Sequence, residues 1–386
     1  MRANPLSFKT IKNYVTKAVG DDLHAKRVLS LANATVGVVH GAALGVSTIG
    51  RALAQARGLK ARHAVKQVDR LLSNAGIDVW ELFASWVPMV VAQRTEAVVA
   101  LDWTDFDDDD QTSICLYLLT KHGRATPLVW YTVEKSGLKG NRCDAEDMVL
   151  RRLHEVLPNG VHVTLLADRG FGDVALYKFL KGELSFDFVI RFRGCIHVTD
   201  AKGEKRTAEE WLHSNGRARM LRDARVTEKE EFLPGVVVVK QKDMKDAWYL
   251  ATSLPATNAS VVVKLYGRRF TIEESFRDAK DWRFGMGLVH VRIADCDRRD
   301  RMLLISAMAI SLLTLLGAAA EAVGLDKTLK VNTVKRRTHS LFTQGVYFYG
   351  ALPMMKPEDF RILVARFGQL LLEQRLNEAA DGGSRG

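Results

Sequence analysis

The order of strand and helix patterns between residues 96 and 194 limits the fold of this chain more than any other feature. Three segments rich in valine, isoleucine, leucine and tyrosine come first, at residues 97–103, 113–121 and 126–133. Turn residues bound each segment, so the pattern predicts three strands that could form a meander. A helix, a strand, a second helix and a fifth strand follow, at residues 145–156, 162–167, 174–181 and 186–193.

This order is the one expected of a ribonuclease-H-like core. An ordinary doubly wound α/β domain is the alternative, but it would begin with alternating strands and helices rather than with a meander. We predict an α/β protein in which an all-β insertion interrupts a ribonuclease-H-like catalytic core and helical regions flank it. The five predicted parts are a basic helical region (1–75), the first part of the core (76–194), the β insertion (195–255), the second part of the core with the catalytic helix (256–322) and a C-terminal helical region (323–386).

Two aspartates stand at the ends of apolar strands. Asp102 ends VVALD and Asp168 ends VTLLAD. Two carboxylates on neighbouring strands repel each other unless a cation lies between them, and the hard cations Mg²⁺ and Mn²⁺ accept oxygen ligands. The structural alternatives are that Asp168 caps a helix or pairs with Arg169, and that Asp102 belongs to the acidic turn after it. We predict that the four aspartates at 107–110 form a solvated hairpin tip outside the site.

A third carboxylate lies on the stretch KLYGRRFTIEESFRDAKDWRF, residues 264–284. The pattern predicts one helix, on which Tyr266, Arg269, Glu273 and Lys280 share a face. A solvated face with ordinary charge pairs is the simple interpretation of such a helix. Because the stretch follows two strand-end aspartates in a basic chain, we predict instead that Glu273 completes a metal site for phosphoryl transfer.

The chain is basic, with a net charge of +11 and a pI near 9.5. Residues 1–75 hold twelve Lys and Arg against three Asp, a net charge of +9. The helix pattern VSTIGRALAQA is followed by Arg57, Lys60, Arg62 and Lys66, which resembles a helix-turn-helix-like bundle facing phosphates. We therefore predict a nucleic-acid partner, with a merely basic soluble protein as the alternative.

Cysteines and apolar runs point to a soluble protein in a reducing compartment. The four cysteines are far apart and form no CxxC pair, so neither a zinc site nor a disulfide framework is predicted. The segment MRANPLSFKT lacks the apolar core of a signal peptide. The longest apolar run, at 302–320, contains Ser and Thr and follows an Arg-rich start, so we predict a buried helix and no membrane partner.

Three motifs together resemble the DDE transposases of insertion-sequence family four. They are LDWT around Asp102, ADRGF around Asp168, and Tyr266-x2-Arg269-x3-Glu273-x6-Lys280, and the resemblance covers roughly residues 96–320. It implies that Asp102, Asp168 and Glu273 form the catalytic triad and bind two Mg²⁺ or Mn²⁺ ions. It also implies that Tyr266, Arg269 and Lys280 contact phosphates near the cleaved DNA end. The motif DRGF and the bulky Trp103 depart from the family pattern without touching a ligand position.

The family also carries a β insertion between its second Asp and its Glu, as residues 195–255 do here. By resemblance, Trp248 at the end of this insertion stacks where a base is flipped out of the DNA. A core aromatic in a β domain is the structural alternative for Trp248.

The resemblance implies a cut-and-paste transposase that binds terminal inverted repeats of double-stranded DNA, forms hairpin ends and joins them to target DNA. It implies a homodimer at paired ends, in the bacterial cytoplasm and in association with the nucleoid. An apolar stripe on the C-terminal helix is the predicted dimer contact, formed by Phe360, Leu363, Phe367, Leu370 and Leu371. Two alternatives stay open: a nuclease of the same fold without strand transfer, and a catalytically silent DNA-binding protein derived from a transposase.

Overall fold

A mixed ten-stranded sheet with helices around it forms the protein. The computed structural model describes residues 4–120, 124–254, 257–283, 285–331 and 333–373. The strands are β1 (Glu96–Phe106), β2 (Gln111–Leu119), β3 (Ala125–Glu134), β4 (His162–Ala167), β5 (Asp187–Arg191), β6 (His197–Thr199), β7 (Lys205–Thr207), β8 (Arg219–Val226), β9 (Glu231–Val239) and β10 (Trp248–Thr252). Their order across the sheet is β3-β2-β1-β4-β5-β10-β9-β8-β6-β7.

The helices of the described ranges fall into an N-terminal group, a group that serves the sheet and a C-terminal group. They are α1 (Phe8–Val19), α2 (Ala25–Gly41), α3 (Val46–Arg57), α4 (Ala61–Leu72), α5 (Val79–Val91), α6 (Arg142–Val156), α7 (Val174–Gly182), α8 (Ala259–Gly267), α9 (Thr271–Lys280), α10 (Cys296–Ala322), α11 (Leu341–Ala351) and α12 (Pro357–Glu373). The helix α5 was not predicted from the sequence.

The predicted meander and the strand–helix alternation after it are confirmed. β1 pairs antiparallel with β2, and β2 pairs antiparallel with β3. β4 lies parallel to β1, and β5 lies parallel to β4, with α6 and α7 as the crossovers. Parallel strands place their carboxyl ends at one edge of a sheet. The parallel pairing of β1 with β4 stops at Leu101 and Ala167, so Asp102 lies beside the residue that follows β4.

The insertion continues the same sheet. β10 pairs antiparallel with β5, and β9, β8, β6 and β7 follow outward. Pairing with β10 satisfies backbone groups that an edge strand would leave unpaired. The insertion is therefore built of strands, as predicted, but it extends the sheet of the core. The five-part division of the chain stays a prediction.

The helix α10 lies at the centre of the helical part. It has the length and hydropathy of a membrane span, yet most of its apolar stretch is buried against other parts of the protein. It contacts α2, α11, α12 and β3. The predicted buried helix at 302–320 is confirmed, and its apolar surface is covered by the chain itself.

The predicted dimer contact on α12 is wrong. Leu363, Phe367 and Leu370 are buried within the chain, on a helix that packs against α10. Phe360 and Leu371 are half-buried and pack against the same core. The spacing of apolar residues revealed an amphipathic helix, but it could not show whether another chain or this one covers the apolar face. Residues 374–386 of the predicted C-terminal region lie outside the described residues.

The stretch 264–284 is not one helix. α8 ends at Gly267, a 3-10 turn spans Arg268–Phe270, and α9 ends at Lys280. Gly267 weakens a helix, and the Thr271 hydroxyl donates to the carbonyl of Arg268 across the tighter turn. A 3-10 turn contains three residues rather than 3.6, so the residues on either side no longer share the predicted face. Phe284 lies outside the described residues.

Candidate active site

Asp102 and Asp168 lie side by side at the carboxyl edge of the sheet. Leu101 pairs with Ala167 in the parallel register, and each aspartate is the next residue of the chain. Asp168 follows its strand as predicted, whereas Asp102 lies within β1, which continues to Phe106 along β2. Neighbouring strands are about 4.8 Å apart, so the two backbones are within contact distance there. Asp102 accepts a hydrogen bond from the N–H of Trp103 at 2.9 Å. Asp168 accepts one from the N–H of Gly170 at 2.7 Å, so it also caps a short 3-10 turn.

Arg269 joins Asp102 to Glu273. Its Nη1 donates to Oδ2 of Asp102 at 3.1 Å, and its Nη2 donates to Oε1 of Glu273 at 2.8 Å. The guanidinium is buried, whereas the Glu273 side chain is half exposed. Nε of Arg269 is buried without a hydrogen-bond partner in the described part of the chain. One cation therefore lies between two of the three predicted carboxylates.

The carboxylates at this edge influence one another. Burial raises the pKa of Asp102 to about 6; the charge of Arg269 lowers it, and the charges of Asp168 and Glu273 raise it further. A buried carboxyl near two like charges favours an added positive charge in the same place. The electrostatics of the site therefore favour a cation.

Lys280 reaches the same edge from the end of α9. Its Nζ donates to the carbonyl of Asp105 at 2.6 Å and to the hydroxyl of Thr104 at 3.1 Å. Burial lowers the pKa of its ammonium. An open groove of about 500 Å³ runs here, lined by Asp102, Trp103, Thr104, Glu273, Phe276, Arg277, Lys280, Asp281 and Val289. Two of the three predicted carboxylates, Asp102 and Glu273, therefore line this groove.

Tyr266 and Trp248 form an aromatic cluster with Phe270. The ring of Trp248 stands edge-on to Tyr266 at 5.0 Å and lies tilted over Phe270 at 5.8 Å. Tyr266 is 1% exposed, so the prediction that it lies on a free helix face is wrong. Trp248 is half-buried, and Phe270 is 39% exposed. The cluster packs beside Arg269, which lies over the Phe270 ring.

The four basic residues predicted near the N-terminus lie on a separate surface. α3 and α4 are joined by three residues, of which Gly58 has a φ of 64°, in the left-handed region that favours glycine. Lys60, Arg62 and Lys66 are exposed on and just before the second helix of this pair. Arg57 is different, because its Nη1 donates to Asn33 at 2.7 Å and its guanidinium lies over Phe8. A three-residue turn between two such helices is typical of helix-turn-helix units.

The acidic tip of the first hairpin is not simply solvated. Asp109 accepts from Nη2 of Arg299 at 2.6 Å and from the N–H of Ile293 at 3.1 Å. Arg299 is fully buried, so this pair fixes the tip of the hairpin to the start of α10. The prediction of a solvated turn is wrong for Asp109. Asp108 is exposed, as predicted.

Two residues near the carboxylates escaped the sequence analysis. Glu146 is buried on α6 and accepts from the indole N–H of Trp103 at 2.8 Å, which holds the residue next to Asp102. Arg191 ends β5, where it follows the apolar residues of FVI. The reasoning used for Asp102 and Asp168, a charge at the end of an apolar strand, would have identified Arg191 as well.

The oxygen donors of this edge suit a hard divalent cation. Asp102, Asp168 and Glu273 offer carboxylates, the ligands that Mg²⁺ and Mn²⁺ prefer. Within the described ranges, no three His, Cys, Asp or Glu side chains are already gathered as a metal-binding group. Arg269 lies between two of these carboxylates. A divalent ion would therefore take over a position in which a guanidinium now balances the charge.

Comparison with known proteins agrees with this chemistry. Residues 129–312 match the family model of the transposase DDE domain, a little under half of the 386 residues. The matched region begins in β3 and ends in α10, so it includes Asp168 and Glu273 but not Asp102. A search of curated proteins found no match. The match to the transposase DDE domain supports a DDE transposase.

Proposed function

We propose that this protein is a cut-and-paste DNA transposase of insertion-sequence family four, with a ribonuclease-H-like core. The observation that carries the proposal is that the sheet register and one arginine place three carboxylates in the same region. Asp102 and Asp168 directly follow the last pair of the parallel register between β1 and β4, and Arg269 joins Asp102 to Glu273. The pKa of Asp102 responds to both of the other carboxylates, which supports their closeness.

Asp102, Asp168 and Glu273 would hold the metal, which we expect to be two Mg²⁺ or Mn²⁺ ions. When bound, such ions would activate the attacking oxygen and stabilise the leaving oxygen of a phosphodiester. The protein's own contribution is to hold the three carboxylates in position. The hydrogen bonds to Asp102 and Asp168 from backbone N–H groups fix two of them before DNA arrives.

Arg269 and Lys280 would contact the phosphates near the cleaved end. Arg269 and Lys280 already donate to oxygen atoms of the chain itself, namely those of Asp102, Glu273, Thr104 and Asp105. Phosphate oxygens are also hydrogen-bond acceptors. When DNA lies in the groove, Arg269 and Lys280 would donate to phosphate oxygens instead of to these protein oxygens. Tyr266 is buried, and we assign it to support Trp248, which would stack against an unpaired base.

The N-terminal helices would recognise the terminal inverted repeats. Lys60, Arg62 and Lys66 are exposed on and just before α4, where the second helix of a helix-turn-helix unit contacts the major groove. Arg57 contacts Phe8 and Asn33, so we assign it to the stability of this unit. We further propose two copies of the protein at paired ends, acting in the bacterial cytoplasm at the nucleoid.

Each chemical step would be a displacement at phosphorus that forms one P–O bond and breaks another. Water would attack first and release a 3′-hydroxyl at each end. That hydroxyl would attack the opposite strand to close a hairpin, which a second water would reopen. The freed 3′-hydroxyl would then attack target DNA. The nucleophile changes between steps while the carboxylates that serve it stay the same.

The experiment mixes the protein with Mg²⁺, duplex DNA that carries the inverted repeats flanking the gene, and a target plasmid. Wild type should cleave the ends and join them to the plasmid. Asp102→Ala, Asp168→Ala and Glu273→Ala should each lower cleavage about a thousandfold or more, since several kcal/mol of charge stabilisation is lost.

Glu274→Ala is the matched control, because Glu274 is the next residue on α9 and pairs with Arg277 rather than with the site. It should retain wild-type cleavage. Cleavage without joined product would favour the nuclease alternative. Activity retained in all three carboxylate variants would refute the proposed site.

A further inference from the structure

Arg191 lies at the same level of the sheet as Asp102 and Asp168, on the next strand. In the parallel register of β4 and β5, Ala167 pairs with Ile190, so Asp168 and Arg191 are the next residues on neighbouring strands. Asp102 holds the corresponding place on β1. Two carboxylates and one guanidinium therefore stand at the same level on three neighbouring strands, although β1 itself continues to Phe106.

The side chain of Arg191 extends toward that edge. Its backbone pairs with Leu250 of the antiparallel β10, but its Nη2 donates to the carbonyl of Ala247 at 2.9 Å. Ala247 precedes Trp248, the first residue of β10. In an antiparallel pair the beginning of one strand lies beside the end of the other. The guanidinium therefore lies at the beginning of β10, beside the residue that precedes Trp248.

This guanidinium has no anionic partner among the described residues. Its one hydrogen bond is to a neutral carbonyl, and its Nε is buried without a partner. The other buried arginines nearby are paired with carboxylates, as Arg269 is with Asp102 and Arg299 is with Asp109. A half-buried cation without a counter-ion is costly unless an anion binds it.

The positive charge of Arg191 acts on Tyr266, which lies beside Arg269. Burial raises the pKa of Tyr266, and the charges of Arg269 and Arg191 act against that increase. Tyr266 packs on Trp248, and the charges of both Arg191 and Asp168 act on Tyr266, so these residues lie in one region of the site. A ligand that met Arg191 there would also meet the exposed part of Trp248.

We propose that Arg191 is a phosphate-binding residue of this site. It would donate to a phosphodiester of the strand that passes on the insertion side of the carboxylates, next to the base that meets Trp248. Arg269 and Lys280 would contact phosphates of the same strand in the groove. The strand would therefore be bound on both sides of the reacting phosphate. This inference rests on the proposed function, because it assumes that DNA is the polyanion.

The test measures binding of a fluorescent duplex carrying the flanking inverted repeat, in chelator so that cleavage does not occur, over a range of salt concentrations. One phosphate contact changes the slope of log affinity against log salt by about 0.9. Arg191→Gln should therefore flatten the slope by that amount and weaken binding about tenfold. Arg206→Gln is the control, because Arg206 lies on the outermost strand and pairs with Glu204.

Equal slopes and affinities for wild type and Arg191→Gln would overturn the inference. If wild type itself binds without salt dependence, the proposed function fails rather than the role of Arg191 alone.

A second measurement covers the case in which Arg191→Gln does not fold. Single methylphosphonate substitutions remove the charge of one phosphate at a time. One position should weaken wild-type binding clearly and should weaken Arg191→Lys less, because an ammonium cannot make the two-pronged contact of a guanidinium. Identical patterns in the two proteins would contradict the assignment.

Discussion

Arg269 already balances the negative charge between two of the three carboxylates that we assign to the metal. Its guanidinium is buried and donates to both Asp102 and Glu273. A divalent ion and this guanidinium would compete for the same oxygen atoms. We expect the arginine to hold these oxygen atoms when DNA is absent, and a phosphate that attracts Arg269 to free the carboxylates.

Arg269→Gln tests this competition. We expect the variant to bind Mn²⁺ roughly tenfold more tightly than wild type in the absence of DNA, since the competing internal cation is lost. Titration calorimetry measures the affinity directly. Glu273→Gln is the opposite control and should weaken Mn²⁺ binding. A fall in affinity in Arg269→Gln as large as that in Glu273→Gln would show that Arg269 organises the ligands instead.

Asp300 provides a prediction about pH. It is buried on α10, accepts from the hydroxyl of Thr132, and burial raises its pKa to about 7. Its pKa is higher in the folded than in the unfolded protein, so the folded protein binds the proton more tightly. The contribution of Asp300 to the unfolding free energy therefore falls as pH rises from about 4 to 7. The total decrease, complete above pH 7, is roughly 4 kcal/mol.

Asp300→Asn should therefore remove much of the decrease in unfolding free energy over this range, as measured by urea titration at several pH values. Glu358→Gln is the control, because Glu358 is exposed on α12, far along the chain from Asp300. An unchanged pH profile in Asp300→Asn would mean that another group dominates the titration.

For single residues, the sequence predicted which side chains belong to the site better than it predicted how buried each side chain is. The ends of apolar strands identified Asp102 and Asp168, and the parallel register brings them together. The burial of Tyr266 could not be predicted, because helix periodicity defines an angle around an axis but not what covers that side. The pairing of Asp109 with Arg299 joins residues far apart in sequence, and no local pattern indicates such a contact.

Among the elements, α10 and α11 approach each other closely through glycines. A Cβ atom at Gly345 would overlap with the carbonyl oxygen of Leu313, and one at Gly317 would overlap with that of Leu341. Each helix thus presents a glycine to the backbone of the other. The close approach requires a residue without a side chain at both positions.

Gly345→Ala should lower the unfolding free energy by about 1–3 kcal/mol, because the helices would have to separate. Gly350 lies on the same helix, and a Cβ atom added there would meet nothing within 4 Å, so Gly350→Ala is the matched control. It should raise the unfolding free energy by about 0.5–1 kcal/mol through the better helix propensity of alanine. Thermal unfolding compares the two, and equal effects would contradict the packing argument.

The 3-10 turn between α8 and α9 could not be predicted from the spacing of apolar residues. The turn spans only Arg268–Phe270, and the residues on both sides still have the pattern of helix formers. One tighter turn changes the direction of every side chain after it. The sequence therefore predicted the helical character of this stretch, while the relative directions of Tyr266 and Lys280 depend on tertiary contacts.

On the scale of the whole molecule, buried hydrogen bonds join the basic N-terminal helices to the core. Arg301 of α10 donates to the carbonyl of Leu72, at the end of α4, at 2.9 Å and to that of Ile77 at 2.8 Å. Arg298 forms a more exposed pair with Asp69 at 2.8 Å. Both arginines connect α10 to the end of α4, Arg301 in the interior and Arg298 nearer the surface.

Arg301→Ala should cost about 2–4 kcal/mol of unfolding free energy, because two buried carbonyls lose their donor. Arg298→Ala should cost about 1 kcal/mol or less, as exposed ion pairs do. Denaturant titration of both variants gives the comparison. Equal costs would imply that the depth of the contact does not matter at this junction.

Much of the sheet was predictable and its full extent was not. Local patterns located β1 to β5 because each strand is apolar and bounded by turns. The pairing of β10 with β5 joins segments separated by the whole insertion, so neither segment alone contains the signal. For this reason the insertion was predicted as a part of its own, although its strands continue the core.

The contact between α2 and α10 has a consequence for how the protein is made. α2 belongs to the basic N-terminal region, yet one of its partners is a helix near the other end of the chain. During synthesis α2 leaves the ribosome long before α10 exists, and its apolar surface stays uncovered in the meantime. The helices assigned to DNA recognition therefore reach their final packing only after the catalytic part is complete. If these helices bind the inverted repeats as proposed, we expect a prematurely ended chain to bind them weakly and to compete poorly with the complete protein.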